Sequence, residues 1–279
     1  MSARVDTPHY RARVVRTAEI AARMVRVTVG EITPEPGHPP LGDVGPADSF
    51  FGLWVPVPDA EPAKRYYTVR GWRPEAAELD IDLVLHGTGP ATEWASRARI
   101  GDEVAFDAPR GHYAPFPGAQ WQALCGDVTA LPAIGRILEE RTAHAASAPA
   151  HVVVAVDDPA QQQSLPLREG DHLEWVAPDQ LVWRSQELSR RDGDGYVWFA
   201  AEAAQMRAVR HTLRRELRLP TERWMTMGYW RRDSERWFAR LAAASPAVHD
   251  ELDRIWNSEG DDEDRTDRAE LLLDREGLL

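Results

Sequence analysis

A change of hydrophobic period near Gly118 constrains this chain more than any other feature of its sequence. Before that point, HYRARVVRTAEI, ARMVRVTVG and ELDIDLVLHG alternate apolar and polar side chains, the pattern of half-buried strands. Between them, EITPEPGHPPLGDVGPADS is crowded with Pro, Gly and Asp and has to be irregular and exposed. With SFFGLWVPVP, RYYTVRGW and GDEVAFDAPRG the region reads as about six short strands plus one helical insertion, ATEWASRA, which predicts a small antiparallel barrel.

Beyond Gly118 the alternation stops. HVVVAVDD and YVWFAAE are unbroken apolar runs, expected of strands buried on both faces of a parallel sheet, and WQALCG, HLEWVA and RWMTMGYW read as further strands. Helical patterns fall between them. Leu131, Ile134 and Leu138 share one face of DVTALPAIGRILEERTAH, and Met206, Val209 and Leu213 share one face of AAQMRAVRHTLRRELRL. Strands alternating with helices predict an α/β layer. The expected division is a β-barrel domain over 1–118, an α/β domain over 119–249 and an acidic helical extension over 250–279.

The net charge of −12 is unevenly placed. Asp250 to Leu279 holds twelve acids and four arginines, a net of −8, so the other 249 residues carry −4. Nucleic acid is not an expected partner of so acidic a chain, although the body has room for local basic patches. No segment approaches the roughly 20 apolar residues of a membrane span. The single cysteine, Cys125, excludes an internal disulfide and Cys-ligated clusters, and no metal site is expected. A soluble cytoplasmic protein, monomeric or weakly dimeric, is the resulting expectation.

Two stretches can carry chemistry. In KRYYTVRGW, residues 64–72, the only lysine adjoins an arginine, two tyrosines and a threonine. Cationic ends on an ordinary edge strand account for this equally well. Arg65 offers a planar fork to a phosphate, Tyr67 an aromatic face and Thr68 a hydroxyl. In LHGTGPATEWAS, residues 85–96, Gly87, Gly89 and Pro90 make a tight turn before a short helix, with Thr92 near its start. Its free N–H groups suit an anion, and a plain capped helix is the alternative.

A barrel followed by a nucleotide-type α/β layer resembles the flavin reductase fold, and RYYT fits the Arg-x-Tyr-Thr pattern that marks flavin binding there. More specifically, RYYTVR, VLHGTGPATEWA, APRGHY, GDVTALPAIGRILE, WFAAEAAQMRAVRHTLR and GYWRR occur in the order found in the siderophore-interacting protein family. The resemblance spans residues 10 to about 232. It implies a ferredoxin reductase-like fold, with a Greek-key FAD-binding barrel and an NAD(P)H-binding domain, and reduction of ferric siderophores.

Carried over by position, the resemblance gives Arg65, Tyr67 and Thr68 to the flavin ring and phosphate, and has His86 face the flavin. Gly89, Ala91 and Thr92 would take the pyrophosphate, with Trp94 as core, and Arg110 with Gly111 would reach FAD from the opposite side. Asp127 and Thr129 either cap the next helix or touch the nicotinamide nucleotide. Val128 replaces the family's Glu, and Ala201 its Gly. Asp157 and Asp158 either bind a ribose 2′-hydroxyl, which leans towards NADH over NADPH, or form a simple Asp-Asp-Pro turn.

Lys64, Arg231 and Arg232 would bind the ferric siderophore, often an anion. No side chain is expected to act as acid, base or nucleophile, since a flavin carries the electrons. A ferredoxin is an alternative donor. Rival readings are a flavin reductase serving a protein partner and a non-catalytic siderophore-binding module. The acidic tail reads as a solvated helix or partly disordered end, and the helical spacing of LDRIWNSEG and RAELLLDREGLL offers the alternative of a terminal helix packed near the cofactor cleft or at a subunit contact.

Overall fold

The alternating segments of the first third pair as one antiparallel sheet. In this computed structural model, which describes residues 7–85, 89–142, 148–259 and 262–279, β1 (Tyr10–Ala21) and β2 (Met24–Pro34) form a long hairpin. β3 (Phe50–Val57), β4 (Ala60–Thr68), β5 (Gly71–Arg73), β6 (Glu78–Val84) and β7 (Glu103–Phe106) complete it. The order in space is β4-β3-β7-β1-β2-β6-β5. The last strand in sequence is therefore inserted between β1 and β3, a Greek-key return. Beyond β4 the chain turns back to β6, where the Arg70 N–H donates to the Asp80 carbonyl at 2.9 Å.

Period two does what it promises. Val14, Val27, Val29, Phe51, Leu53, Leu79, Ile81 and Phe106 fill the interior, and a short helix, α1 (Pro90–Ala95), adds Ala91 and Trp94. The register of β3 on β4 sorts the motif residues. Phe51 faces Tyr67 and Leu53 faces Arg65, while Phe50, Gly52 and Trp54 face Thr68, Tyr66 and Lys64. Arg65 and Tyr67 thus share the face of the barrel core, and Lys64, Tyr66 and Thr68 share the other.

The second sheet contains β8 (Trp121–Asp127), β9 (Ala150–Ala155), β10 (His172–Val176), β11 (Gly195–Glu202) and β12 (Trp224–Trp230) in the order β10-β9-β8-β11-β12. The first four pair in parallel. Helix α2 (Leu131–Thr142) covers one face, burying Leu131, Ile134 and Leu138 against Leu124, Val152 and Trp198. The opposite face packs Cys125, Val153 and Phe199 against α3 (Leu181–Ser189) and α4 (Ala203–His211), with Val209 and Leu213 buried and Met206 beside them. Both helical faces expected from sequence are found. Gly126 is required by close approach, because a Cβ there would lie 2.5 Å from the Ala200 carbonyl oxygen and 2.4 Å from the Ala130 Cβ.

Helix α3 carries little apolar signal. Its buried positions after Leu181 are Ser185 and Ser189, whose hydroxyls donate to the carbonyls of Leu181 and Ser185 at 2.8 and 2.7 Å. Serine satisfied in this way packs like a small apolar residue but leaves no hydrophobic period to read.

Contacts divide the chain into two compact units, Met1–Tyr229 and Trp230–Leu279. The second unit holds α5 (Ser234–Ala242), α6 (Pro246–Trp256) and α7 (Asp262–Arg275). Ile255 of α6 packs with Ala269 and Leu272 of α7, and the Trp237 indole donates to the Leu278 carbonyl at 2.5 Å. Both stretches with helical spacing are helices, and α5 is an addition to them. Among the described residues, no helix is long and apolar enough to cross a membrane.

Candidate functional site

The end of β4 is the natural starting point. Tyr67 lies half-buried against the barrel core, and burial pushes its phenol up to about 12 despite the opposing pull of Arg65. Thr68 is buried, and the next N–H, that of Val69, is fixed on the Ser49 carbonyl at 2.7 Å. Arg65 bends its guanidinium back to the Lys64 carbonyl at 2.8 Å.

Lys64 is not the open surface cation that its sequence position suggests. Its ammonium sits 2.9 Å from Asp107 with the side chain 17% exposed, and lies 4.3 Å from the centroid of Trp54. The stem crosses Gly52, where a Cβ would come 2.0 Å from the Lys64 Cε. Asp107 also accepts the Gly52 N–H at 2.7 Å. The partner lies far along the chain, so no local pattern reveals the pair.

Arg110 joins the same outer face. Its backbone exchanges hydrogen bonds with Phe50 at 2.8 and 3.0 Å, and its guanidinium lies over the rings of Phe50 and Tyr66 at 4.8 and 5.5 Å. The turn that follows is held by Asp48, whose carboxylate accepts the N–H groups of His112 and Tyr113, both at 2.8 Å. The other oxygen of Asp48 accepts the Trp198 indole N–H of β11 at 3.1 Å. Asp48 is 1% exposed. It joins the barrel loop to the α/β core.

At α1, Gly89 is the cap and contributes no side-chain hydrogen bond, and Pro90 opens the first turn. Ala91 and Trp94 are buried, and the Trp94 indole nitrogen has no hydrogen-bond partner among the described residues. Thr92 sits in that first turn. His86 lies outside the described residues, as do Gly87 and Thr88.

On the α/β side, Asp127 caps the turn leading into α2, accepting the Thr129 N–H at 2.9 Å and the Thr129 hydroxyl at 2.5 Å. Val128 packs against the α2-side core. The methyl of Ala201 is fully buried in the core on the α3 and α4 side. Asp157 is held by Arg23 at 2.8 Å, and Asp158 caps a short helical turn by accepting the Ala160 N–H at 2.9 Å. Asp158 forms the local turn of the alternative reading and Asp157 pairs with the distant Arg23, so the lean towards NADH finds no support in their geometry.

Tyr229, at the end of β12, brings the layers together. Its hydroxyl faces Thr68 without a well-formed hydrogen bond, and it feels the charges of Asp48 and Asp127. Burial drives its phenol well above the ordinary tyrosine range. The ring stands edge-on to Trp198 with centroids 6.2 Å apart. The hydroxyls of Ser49 and Thr226 are likewise buried without partners. In sequence GYWRR stands out for its arginines, and the importance of Tyr229 is visible only once its hydroxyl faces Thr68 of β4. Arg231 and Arg232 belong to the second unit, where the Arg231 guanidinium lies 4.3 Å from the centroid of Trp237.

This arrangement fits FAD. An aromatic face at Tyr67, a buried hydroxyl at Thr68, an unsatisfied hydroxyl opposite it and an uncapped helix start are the elements that a flat polar-edged ring and a pyrophosphate require.

Comparison with known proteins agrees. Residues 32–113 match the siderophore-interacting FAD-binding domain, and residues 119–233 match the siderophore-interacting protein family. The chain is 31% identical over 184 residues to ferric vibriobactin reductase ViuB of Vibrio cholerae, covering 63% of this chain and 67% of that protein. It is 28% identical over 155 residues to the NADPH-dependent ferric-chelate reductase of Escherichia coli, covering 55% and 61%. Among solved structures, the siderophore-interacting protein SipS of Aeromonas hydrophila superposes with a TM-score of 0.69 at 26% identity, over 85% of this chain and 98% of that one. A ferredoxin NADP+ reductase from Neisseria gonorrhoeae has the same fold, with a TM-score of 0.59 at 13% identity over 80% of this chain and all of that one.

Proposed function

The chain belongs to the siderophore-interacting protein family, and from that premise we propose that it is an FAD-dependent oxidoreductase that reduces ferric siderophores. The observation that carries this reading is the buried Thr68 hydroxyl at the end of the RYYT strand, faced by a Tyr229 hydroxyl that is buried without a well-formed partner among the described residues. Flavin and donor would share that region. FAD held there would supply the redox chemistry, coupling two-electron hydride acceptance to single-electron delivery.

The residues divide the remaining tasks. Tyr67 offers a ring face, and Thr68 presents a hydroxyl whose backbone neighbours are already fixed, so little reorganisation accompanies binding. Arg65 provides a planar cation for phosphate once it leaves the Lys64 carbonyl. Gly89, Ala91 and Thr92 contribute the helix-start N–H groups, while Arg110 and the Asp48-held turn close the outer side. Tyr229 and Thr68 exclude water between the layers. Iron(III) in its oxygen chelate is the substrate, and iron(II), which such ligands bind less tightly, is released.

Asp127 and Thr129 place a rigid turn at the carboxyl end of β8, where open α/β sheets take nucleotides. NADH or NADPH is the proposed donor, with a ferredoxin as the alternative, and the NADPH dependence of the Escherichia coli relative supports a nicotinamide. Arg231 and Arg232 are proposed as siderophore contacts. Lys64, whose ammonium is held by Asp107, is proposed as a third siderophore contact. The proposed division of labour is 1–118 for flavin, 119–249 for the donor and 250–279 as an extension, in a cytoplasmic protein.

The test is anaerobic. FAD is added to the protein, bleaching is followed with NADH, NADPH and a reduced ferredoxin in turn, and a ferric chelate is then added. Bleaching by one donor and reoxidation by the chelate support the proposal. Flavin that binds but is reduced by none of them leaves only a binding module.

A further inference from the structure

Two arginines tie the barrel to the α/β layer from opposite sides. Arg70, just beyond β4, lays its guanidinium across Gly135 of α2, where a Cβ would lie 3.4 Å from Nε. It donates to both carboxylate oxygens of Glu139 at 2.6 and 2.7 Å. Its Nε is 3.7 Å from Asp82, which is also held by Arg26 of β2 at 2.6 and 2.8 Å. Arg136 of α2 reaches the other way. Its Nη1 donates to the Val69 carbonyl at 3.3 Å, its Nη2 to the Gly45 carbonyl at 3.0 Å and its Nε to Glu140 at 2.7 Å.

Every nitrogen of the Arg136 fork is therefore engaged, in a side chain that is 9% exposed. A planar guanidinium held at three points fixes orientation as well as distance. One of those points is the carbonyl of Val69, the residue after Thr68. Helix α2, which supplies the fork, begins directly behind the Asp127–Thr129 turn. The two clasps thus join the strand end proposed for flavin to the helix that follows the loop proposed for the donor.

We propose that Arg70 and Arg136 form a reciprocal lock that positions the donor loop over the flavin strand, so that its loss slows hydride delivery to the flavin far more than electron delivery to the chelate. This rests on the functional reading above. Hydride transfer needs two reacting atoms about 3–3.5 Å apart and aligned, and a displacement of about 1 Å costs up to roughly 100-fold. Electron transfer to a small chelate such as ferric citrate makes no such demand on the alignment of two reacting atoms. Arg70 and Arg136 touch neither ligand in this account and are positioning residues.

The test uses the full chain with Arg136→Ala, Arg136→Lys and Glu139→Gln. Without any cofactor, amide exchange over residues 66–72 is expected to rise about tenfold or more in Arg136→Ala while β2 and β6 stay protected. With FAD, reduction by NADH or NADPH is expected to slow by about 10- to 100-fold, Arg136→Lys recovering part of the loss. Reoxidation of the dithionite-reduced protein by ferric citrate is expected to stay within about twofold, because that step does not involve the donor loop. Unchanged exchange, or equal losses in both half-reactions, overturns the lock. Should Arg136→Ala not fold, Glu139→Gln, whose wild-type carboxylate is 46% exposed, releases the Arg70 clasp alone and carries the same comparison. A wild-type protein that neither nicotinamide reduces refutes the donor assignment and the catalytic part of the lock, while the cofactor-free exchange still decides the mechanical part.

Discussion

Asp48 offers the sharpest test of how the two layers are joined. Its carboxylate, 1% exposed, accepts two backbone N–H groups from the Arg110 turn and the indole N–H of Trp198, at 2.8, 2.8 and 3.1 Å. Hydrogen bonds to a charged partner contribute about 1.5–3 kcal/mol each. In Asp48→Asn the amide oxygen can keep both backbone donors, but its N–H₂ then faces the indole N–H, for an expected loss of about 2 kcal/mol. Asp48→Ala leaves all three donors without this acceptor, and partial hydration of the turn limits the loss to about 4 kcal/mol. At about 2–4 °C per kcal/mol for a unit of this size, the alanine variant should melt about 8–16 °C lower. Urea unfolding should show a lower midpoint with an unchanged slope. In a double-mutant cycle with Trp198→Phe, a coupling of about 1–2 kcal/mol is expected for the indole bond. An alanine variant within about 1 kcal/mol of wild type, or no coupling to Trp198, refutes the reasoning.

Two further outcomes follow from single contacts. Burial pushes the Asp171 carboxyl up, but the N–H groups of Arg168 and Ala150 together with Arg141 outweigh this and hold it below the usual range. A depressed carboxyl stabilises the fold above its unfolded pKa, about 4, and the contribution fades as pH falls through the lower folded value. The melting difference between wild type and Asp171→Ala, about 3–5 kcal/mol at pH 7 for breaking so buried a pair, should therefore be flat above about pH 5 and shrink below it. A difference that grows on acidification contradicts the assignment. Gly126→Ala forces a Cβ to 2.5 Å from the Ala200 carbonyl oxygen, and the backbone shift should cost about 1–3 kcal/mol in denaturant titrations, against nothing measurable if β8 and β11 have slack.

Much of this architecture is legible in sequence because burial leaves a period. The alternation in β1, β2 and β6 and the solid apolar runs of β9 and β11 mark their elements directly. Helix α3 escapes because Ser185 and Ser189 pack by bonding to their own helix. RYYT is readable as a motif, since its chemistry is local to one strand. Lys64 misleads because its partner, Asp107, is brought beside it only by the β3–β4 and β3–β7 pairings. Asp48 sits in an irregular loop, and Tyr229 in an edge strand noticed for its arginines. Both act between layers, and contacts between layers have no signature in a linear pattern.

The central claim is that the Tyr67–Thr68 end of β4, faced by Tyr229, grips FAD. Equilibrium titration of the folded, cofactor-free protein with FAD, followed by quenching of flavin fluorescence, tests it most directly. The account expects one FAD per chain, with binding weakened about tenfold or more in a Tyr67→Ala, Thr68→Val double variant that still unfolds cooperatively. Folded wild-type protein that leaves the fluorescence of added FAD unchanged contradicts it.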